Sequence, residues 1–116
     1  MLPLSETNAT NEPEESAVNR ARLSDDEIAR RIPEVPGLRR EGDKLLADFK
    51  FKNFADAFAF MTNVAFVAEK LDHHPEWSNV YNRVHVALTT HDSGGITELD
   101  FAFAARAAEL FRRYAE

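Results

Sequence analysis

The chain has 116 residues, 44% of them hydrophobic and nine of them Phe, which suits one compact domain with its own core, small enough to gain from association. A formal charge of −6 offers nothing to phosphate backbones or anionic membranes, so direct nucleic-acid and membrane binding are not expected. The absence of Cys excludes disulfides, thiolate catalysis and Cys-ligated metals; with no membrane-length apolar run and no signal-peptide pattern, a cytoplasmic location is expected.

Residues 1–21 are rich in Ser, Thr, Asn, Glu and Pro without an apolar period, and are expected to form a flexible tail ahead of a folded domain over 22–116. Ser24 and Glu27 have the spacing of a capping box, with Leu23 and Ile28 as its hydrophobic staple, so a short helix starts here and stops at Pro33 and Pro36. From Leu38 to Phe51 the pattern alternates: Leu45, Ala47, Phe49 and Phe51 share one face, Lys44, Asp48, Lys50 and Lys52 the other, with Leu46 interrupting. Gly42-Asp43 supplies a hairpin turn.

Asn53 is an N-cap for a long helix reaching about Leu71. That helix has two apolar stripes, Phe54, Phe58, Met61, Ala65 and Ala68 on one side and Phe60, Val64, Val67 and Leu71 on another. A single sheet cannot bury both, so one is expected to meet a partner chain. Trp77 to Thr90 reads as two strands connected near Tyr81-Asn82-Arg83, and Asp92-Ser93-Gly94-Gly95 as a turn. Thr97 and Asp100 form a second capping box, stapled by Ile96 and Phe101, for a last helix running to Tyr114. The order is αββαββα, an α+β sandwich with antiparallel strands and helices on one face.

His73, His74 and His91 fall at the ends of these elements, and imidazoles that titrate near neutrality can both give and take protons. Glu69 and His73, four apart, would share one side of the last helical turn, so that the carboxylate orients the ring. His74 points elsewhere, and Pro75 makes the exit rigid. The structural alternative is that His73 and His74 cap a helix C-terminus and His91 merely ends a strand. Three His plus Glu69 include zinc and iron donor types, but neighbouring His side chains do not readily converge on one ion and HExxH is absent, so no metal is expected. His85 reads as a structural or surface residue; Trp77 and Phe66 read as core, although Trp77 could wall an aromatic ring.

The run Glu69-x-x-x-His73-His74-Pro75-Glu76-Trp77-x-Asn79-Val80-Tyr81-Asn82, then Thr89-Thr90-His91-Asp92-x-Gly94-Gly95 and Thr97-x-x-Asp100, closely resembles the pterin-4a-carbinolamine dehydratases. The similarity covers about residues 23–108; Leu38 departs from it, standing where an aromatic residue often follows Pro-Gly. The resemblance implies a four-stranded antiparallel sheet with helices on one face, assembled as a homodimer or homotetramer. It also implies dehydration of a 4a-hydroxytetrahydropterin to quinonoid dihydropterin and water, without redox cofactor or metal. His73, His74 and His91 would be the acid/base and substrate-orienting set with Glu69 assisting, His73 and His91 moving protons and His74 binding. Asp72, Thr89 and Thr90 would hold the pterin, while Asp100 is claimed equally by its capping box. Relatives of this kind also imply an alternative, a dimerisation or regulatory partner of a transcription factor or an aromatic amino acid hydroxylase, docking through the spare helix face.

Overall fold

Both capping boxes form at the spacing the sequence sets. Ser24 Oγ accepts from the Glu27 amide at 3.1 Å while the Glu27 carboxylate accepts from the Ser24 amide at 3.0 Å, opening helix α1, Asp25–Arg31. A 3-10 turn, Ile32–Glu34, follows where Pro33 withdraws its amide from helical bonding. The computed structural model describes residues 20–114, so the expected tail lies outside the described residues except at Arg20 and Ala21.

Strands β1, Arg39–Glu41, and β2, Lys44–Lys50, pair around Gly42, whose φ of 62° suits the tight turn. Asn53 caps helix α2, Phe54–Leu71, through Oδ1 to the Asp56 amide at 2.8 Å. The second hairpin, β3 Glu76–Val80 and β4 Arg83–Leu88, turns at Tyr81-Asn82, where Asn82 and Phe51 exchange backbone and side-chain bonds of 2.8 Å. Thr97 starts helix α3, Glu98–Phe111, which ends in a 3-10 turn, Arg112–Tyr114.

The strands pair antiparallel in the order β1-β2-β4-β3, giving the expected αββαββα sheet with helices on one face. Leu45, Phe49, Val84, Val86 and Leu88 turn inward against Phe60, Val64 and Leu71 of α2 and Leu99 and Phe103 of α3. Phe49, Phe51, Phe60 and Phe111 pack with ring centroids 4.9 to 6.3 Å apart, in the tilted and edge-on arrangements aromatic rings prefer. Among the described residues no helix covers the opposite face of the sheet. Leu46 breaks the alternation there, yet is buried beside its cross-strand partner Ala87.

Helix α2 sorts its two stripes as its sequence demands. Phe60, Val64, Val67 and Leu71 are buried, and Ala68 of the other stripe joins them, whereas Phe54 and Phe58 remain 47% and 55% exposed. Phe66, expected in the core, is 69% exposed, because it follows Ala65 on the outer arc of the helix. The contrast predicts opposite outcomes for two Phe residues two positions apart. Phe60→Ala is expected to lower stability by about 3–5 kcal/mol, and Phe58→Ala by less than about 0.5 kcal/mol in the monomer, both read from urea unfolding at low protein concentration.

Candidate active site

Helix α2 ends on Asp72, which adopts a left-handed conformation (φ 53°, ψ 44°) while its amide and that of His73 bond back to the carbonyls of the last turn. The reversal takes His73 out of the helical series. Its ring turns inward, 8% exposed, and Nε2 meets Asp100 Oδ1 at 2.5 Å. His74 stays outside, and it is this ring, not His73, that meets Glu69, with Nε2 2.8 Å from Oε2. The expected Glu69–His73 pair is therefore corrected: helical i, i+4 spacing ceases to apply once the chain has passed a left-handed residue.

Asp100 is completely buried, and its carboxylate joins three parts of the chain. Oδ1 faces His73; Oδ2 accepts from Thr90 Oγ1 at 2.8 Å and from the Thr97 amide at 2.9 Å. Thr90 Oγ1 also lies 2.8 Å from Thr97 Oγ1. Thr97 N to Asp100 is one arm of the capping box, so the capping and site readings of this residue are both realised by one side chain. An ionised carboxylate only accepts, which makes His73 Nε2–H the donor and leaves Nδ1 as the ring's other proton-exchanging nitrogen.

Immediately after Thr90, His91 begins a 3-10 turn, His91–Ser93, closed by Gly94 at φ 77° and by the bridge between Thr90 and Gly95. The His91 ring is largely exposed, and its Nε2 lies 3.5 Å from Glu76 Oε2. Glu76 in turn takes a 2.7 Å ion pair from Lys44, which holds its carboxyl below the ordinary range, with His91 adding a smaller effect. Thr89, His91, Gly94, Gly95, Asp43 and Lys44 line a cleft of about 260 Å³. Glu76 was not singled out by the sequence reading. The available signal was its parity at the start of β3, which sends it to the helix-free face with Ser78 and Val80.

His73 and Thr90 thus meet on Asp100, and His91 meets Glu76 two residues beyond His74, so the histidine segments converge on one end of the β3–β4 pair. Trp77 is not drawn to the cleft: it pairs with Val86 and packs on the core. Asp72 is exposed and serves the helix end through its backbone. The two larger hollows, about 440 and 480 Å³, lie on the helix-free face and share His85. Its Nδ1 lies 2.6 Å from Asp48, which also pairs with Arg39 at 2.8 Å, a surface network consistent with the structural reading of His85. Among the described residues no three His, Asp or Glu side chains are grouped to hold a metal ion. None of the described helices is long and apolar enough to cross a membrane.

The site thus holds a buried imidazole gripped by a carboxylate and, at the cleft, an exposed imidazole. Comparison with known proteins is more specific. Residues 21–110 match the family model for pterin 4 alpha carbinolamine dehydratase. A protein of Thermomicrobium roseum named "Putative pterin-4-alpha-carbinolamine dehydratase" is 52% identical over 90 residues, covering 78% of this chain and 97% of that protein. One of the same name from Sinorhizobium medicae is 56% identical over 81 residues, 68% of this chain and 77% of the relative. A crystal structure described as a transcriptional coactivator/pterin dehydratase from Brucella melitensis superposes with a TM-score of 0.75 at 43% identity, covering 77% and 97% of the two chains. The chain belongs to the pterin 4 alpha carbinolamine dehydratase family.

Two carboxylates should behave in opposite ways. Asp100→Ala strands donors from three segments in the interior and is expected to cost roughly 3–5 kcal/mol, measured by urea unfolding. Asp48 is half-exposed, and its carboxyl is held below the ordinary range first by the His85 hydrogen bond and then by Arg39. Because its folded value is the depressed one, its contribution is present above about pH 4 and is lost as pH falls through the folded value. Asp48→Asn should therefore remove less than about 1 kcal/mol at pH 7 and almost nothing near pH 2.

Proposed function

We propose that this protein dehydrates a 4a-hydroxytetrahydropterin to the quinonoid dihydropterin by histidine acid/base catalysis. Hydroxide is a poor leaving group, so an imidazolium donates a proton to the C4a oxygen as the C–O bond breaks, and a neutral imidazole takes the proton of the neighbouring ring nitrogen. One proton is given and one recovered, and water leaves. The balance requires no electron carrier.

The observation that carries the proposal is that each of the three histidines faces its own carboxylate: His73 with Asp100, His74 with Glu69, His91 with Glu76. A carboxylate partner fixes the orientation of the ring, which an imidazole needs to exchange protons with a bound substrate. Exposure supports a division of roles. His74 and His91 are 60% and 76% exposed in their side chains and exchange protons with the substrate; His73, sealed against Asp100 and edge-on to Phe103, orients the ring through Nδ1. This moves proton transfer from the expected His73–His91 pair to His74 and His91. Thr89, Lys44 and Asp43 line the cleft with His91, Thr90 holds the strand end behind it through Asp100, and a cleft of this size suits a flat bicyclic ring.

A second reading has an observation of its own: Phe54, Phe58 and Phe66 are an exposed aromatic stripe on α2, large for a monomer's surface. It suits a second copy of this chain, as a homodimer or homotetramer, or a regulatory protein partner such as a transcription factor or hydroxylase. Replacing Phe58 and Phe66 together by Ser should lower the sedimentation mass if the stripe joins subunits, and leave it unaltered if it does not.

Stopped-flow absorbance of freshly generated 4a-hydroxytetrahydropterin tests the main reading. The protein should speed decay above the spontaneous rate, and His91→Ala and His74→Ala should each remove about 10²-fold or more of that gain. A folded protein that leaves the spontaneous rate unaltered would overturn the proposal.

A further inference from the structure

The cleft residue His91 is held by remarkably little of its own. Its ring is largely exposed, its one side-chain partner among the described residues is the 3.5 Å contact to Glu76, and its backbone belongs to a single 3-10 turn, the shortest and least self-supporting of helical pieces. Beyond the Thr90–Gly95 bridge that closes it, the turn is held by a segment far away in sequence. Arg20 accepts from Ser93 Oγ at 2.5 Å through its carbonyl, and the Leu23 amide donates to the Ile96 carbonyl at 2.9 Å, so the segment from 20 to 23 lies across the His91–Ile96 loop with a bond at each end. Between those bonds Arg22 covers Gly95 so closely that a methyl group there would fall 2.9 Å from Arg22 Nε. The Arg22 guanidinium continues to Asp43, 3.7 Å away in the β1–β2 turn. Asp43, Gly95 and His91 all line the same cleft, so Arg22 touches two of its lining residues.

We propose that residues 20–23 form a strap that positions His91, with Ser93 and Arg22 as positioning residues for the proton transfer. The inference deepens the dehydratase reading and rests on it for its catalytic purpose. The physical argument is one of populations. A turn with two backbone bonds of its own, Ser93 to Thr90 and Gly94 to His91, each 3.0 Å, samples other geometries unless external contacts select one. The Ser93–Arg20 bond, partly buried, and the Leu23–Ile96 bond make that selection. A side chain at 95 would push aside Arg22, the residue that closes the strap.

The test compares Ser93→Ala, Gly95→Ala and Arg22→Ala with the parent by two readouts. Nuclear relaxation of the His91 imidazole and backbone should show an ordered ring in the parent and a loosened one in all three variants, with His73 unaltered. The dehydration kcat should fall about fivefold in Ser93→Ala, the population factor set by one lost hydrogen bond, and that penalty should vanish when Ser93→Ala is combined with His91→Ala. A purely structural role would leave the penalty undiminished in the double variant, and that result overturns the proposal, as does unaltered His91 relaxation in the variants. A loosened His91 whose own replacement by Ala leaves catalysis at full speed is a different failure: it removes His91 from the site and leaves the strap without a catalytic purpose.

Discussion

The carboxylate of Asp100 is the constraint on which the site and much of the fold depend. Enclosing that group away from water carries a large desolvation cost unless its lone pairs are occupied. The occupants here come from the exit of α2, the end of β4 and the start of α3. None of those segments can shift without leaving a polar atom unpaired in the interior. The same side chain that completes the cap of α3 also fixes the tautomer and plane of His73, so folding and ring orientation are not separable properties of this protein.

From that anchor the alternation of β4 distributes the rest. Thr90 turns toward the helices and Asp100, while Thr89 and the His91 contact to Glu76 lie on the other side of the strand end. One imidazole is therefore kept dry and two are kept wet within a short distance along the chain. Environments that differ this much allow chemically identical rings to serve in different capacities, as the proposed division between one orienting ring and two proton carriers requires.

The sequence carried its local information faithfully. Ser24 with Glu27, Thr97 with Asp100, the Asn53 cap and the Gly42 turn each depend on neighbours within a few residues, and each forms as spaced. The histidine run was also legible as a family signature, through residue type and resemblance. The carboxylate partners were not. The pairing of His73 with Asp100 spans 27 positions, and that of His91 with Glu76 follows from sheet register that alternation alone leaves open. Phe66 was misplaced for a related reason: an 18-residue helix with apolar residues around most of its circumference does not declare which arc faces inward until the sheet beneath it is in place.

At the end of α2, one backbone torsion of the wrong sign for a helix comes just before two consecutive identical side chains. Had the chain continued right-handed through Asp72, the adjacent rings would have stood about 100° apart on a single cylinder, both at its rim. The reversal instead takes both out of the helix, and the extended chain beyond it turns one to the interior and one to water. Identity of composition is thereby converted into difference of role by geometry alone, with an L-residue other than glycine held in the handedness it least favours. Strain of this kind at a position next to the chemistry makes the junction, rather than either histidine, the place where the chain commits itself to having an inside ring and an outside ring.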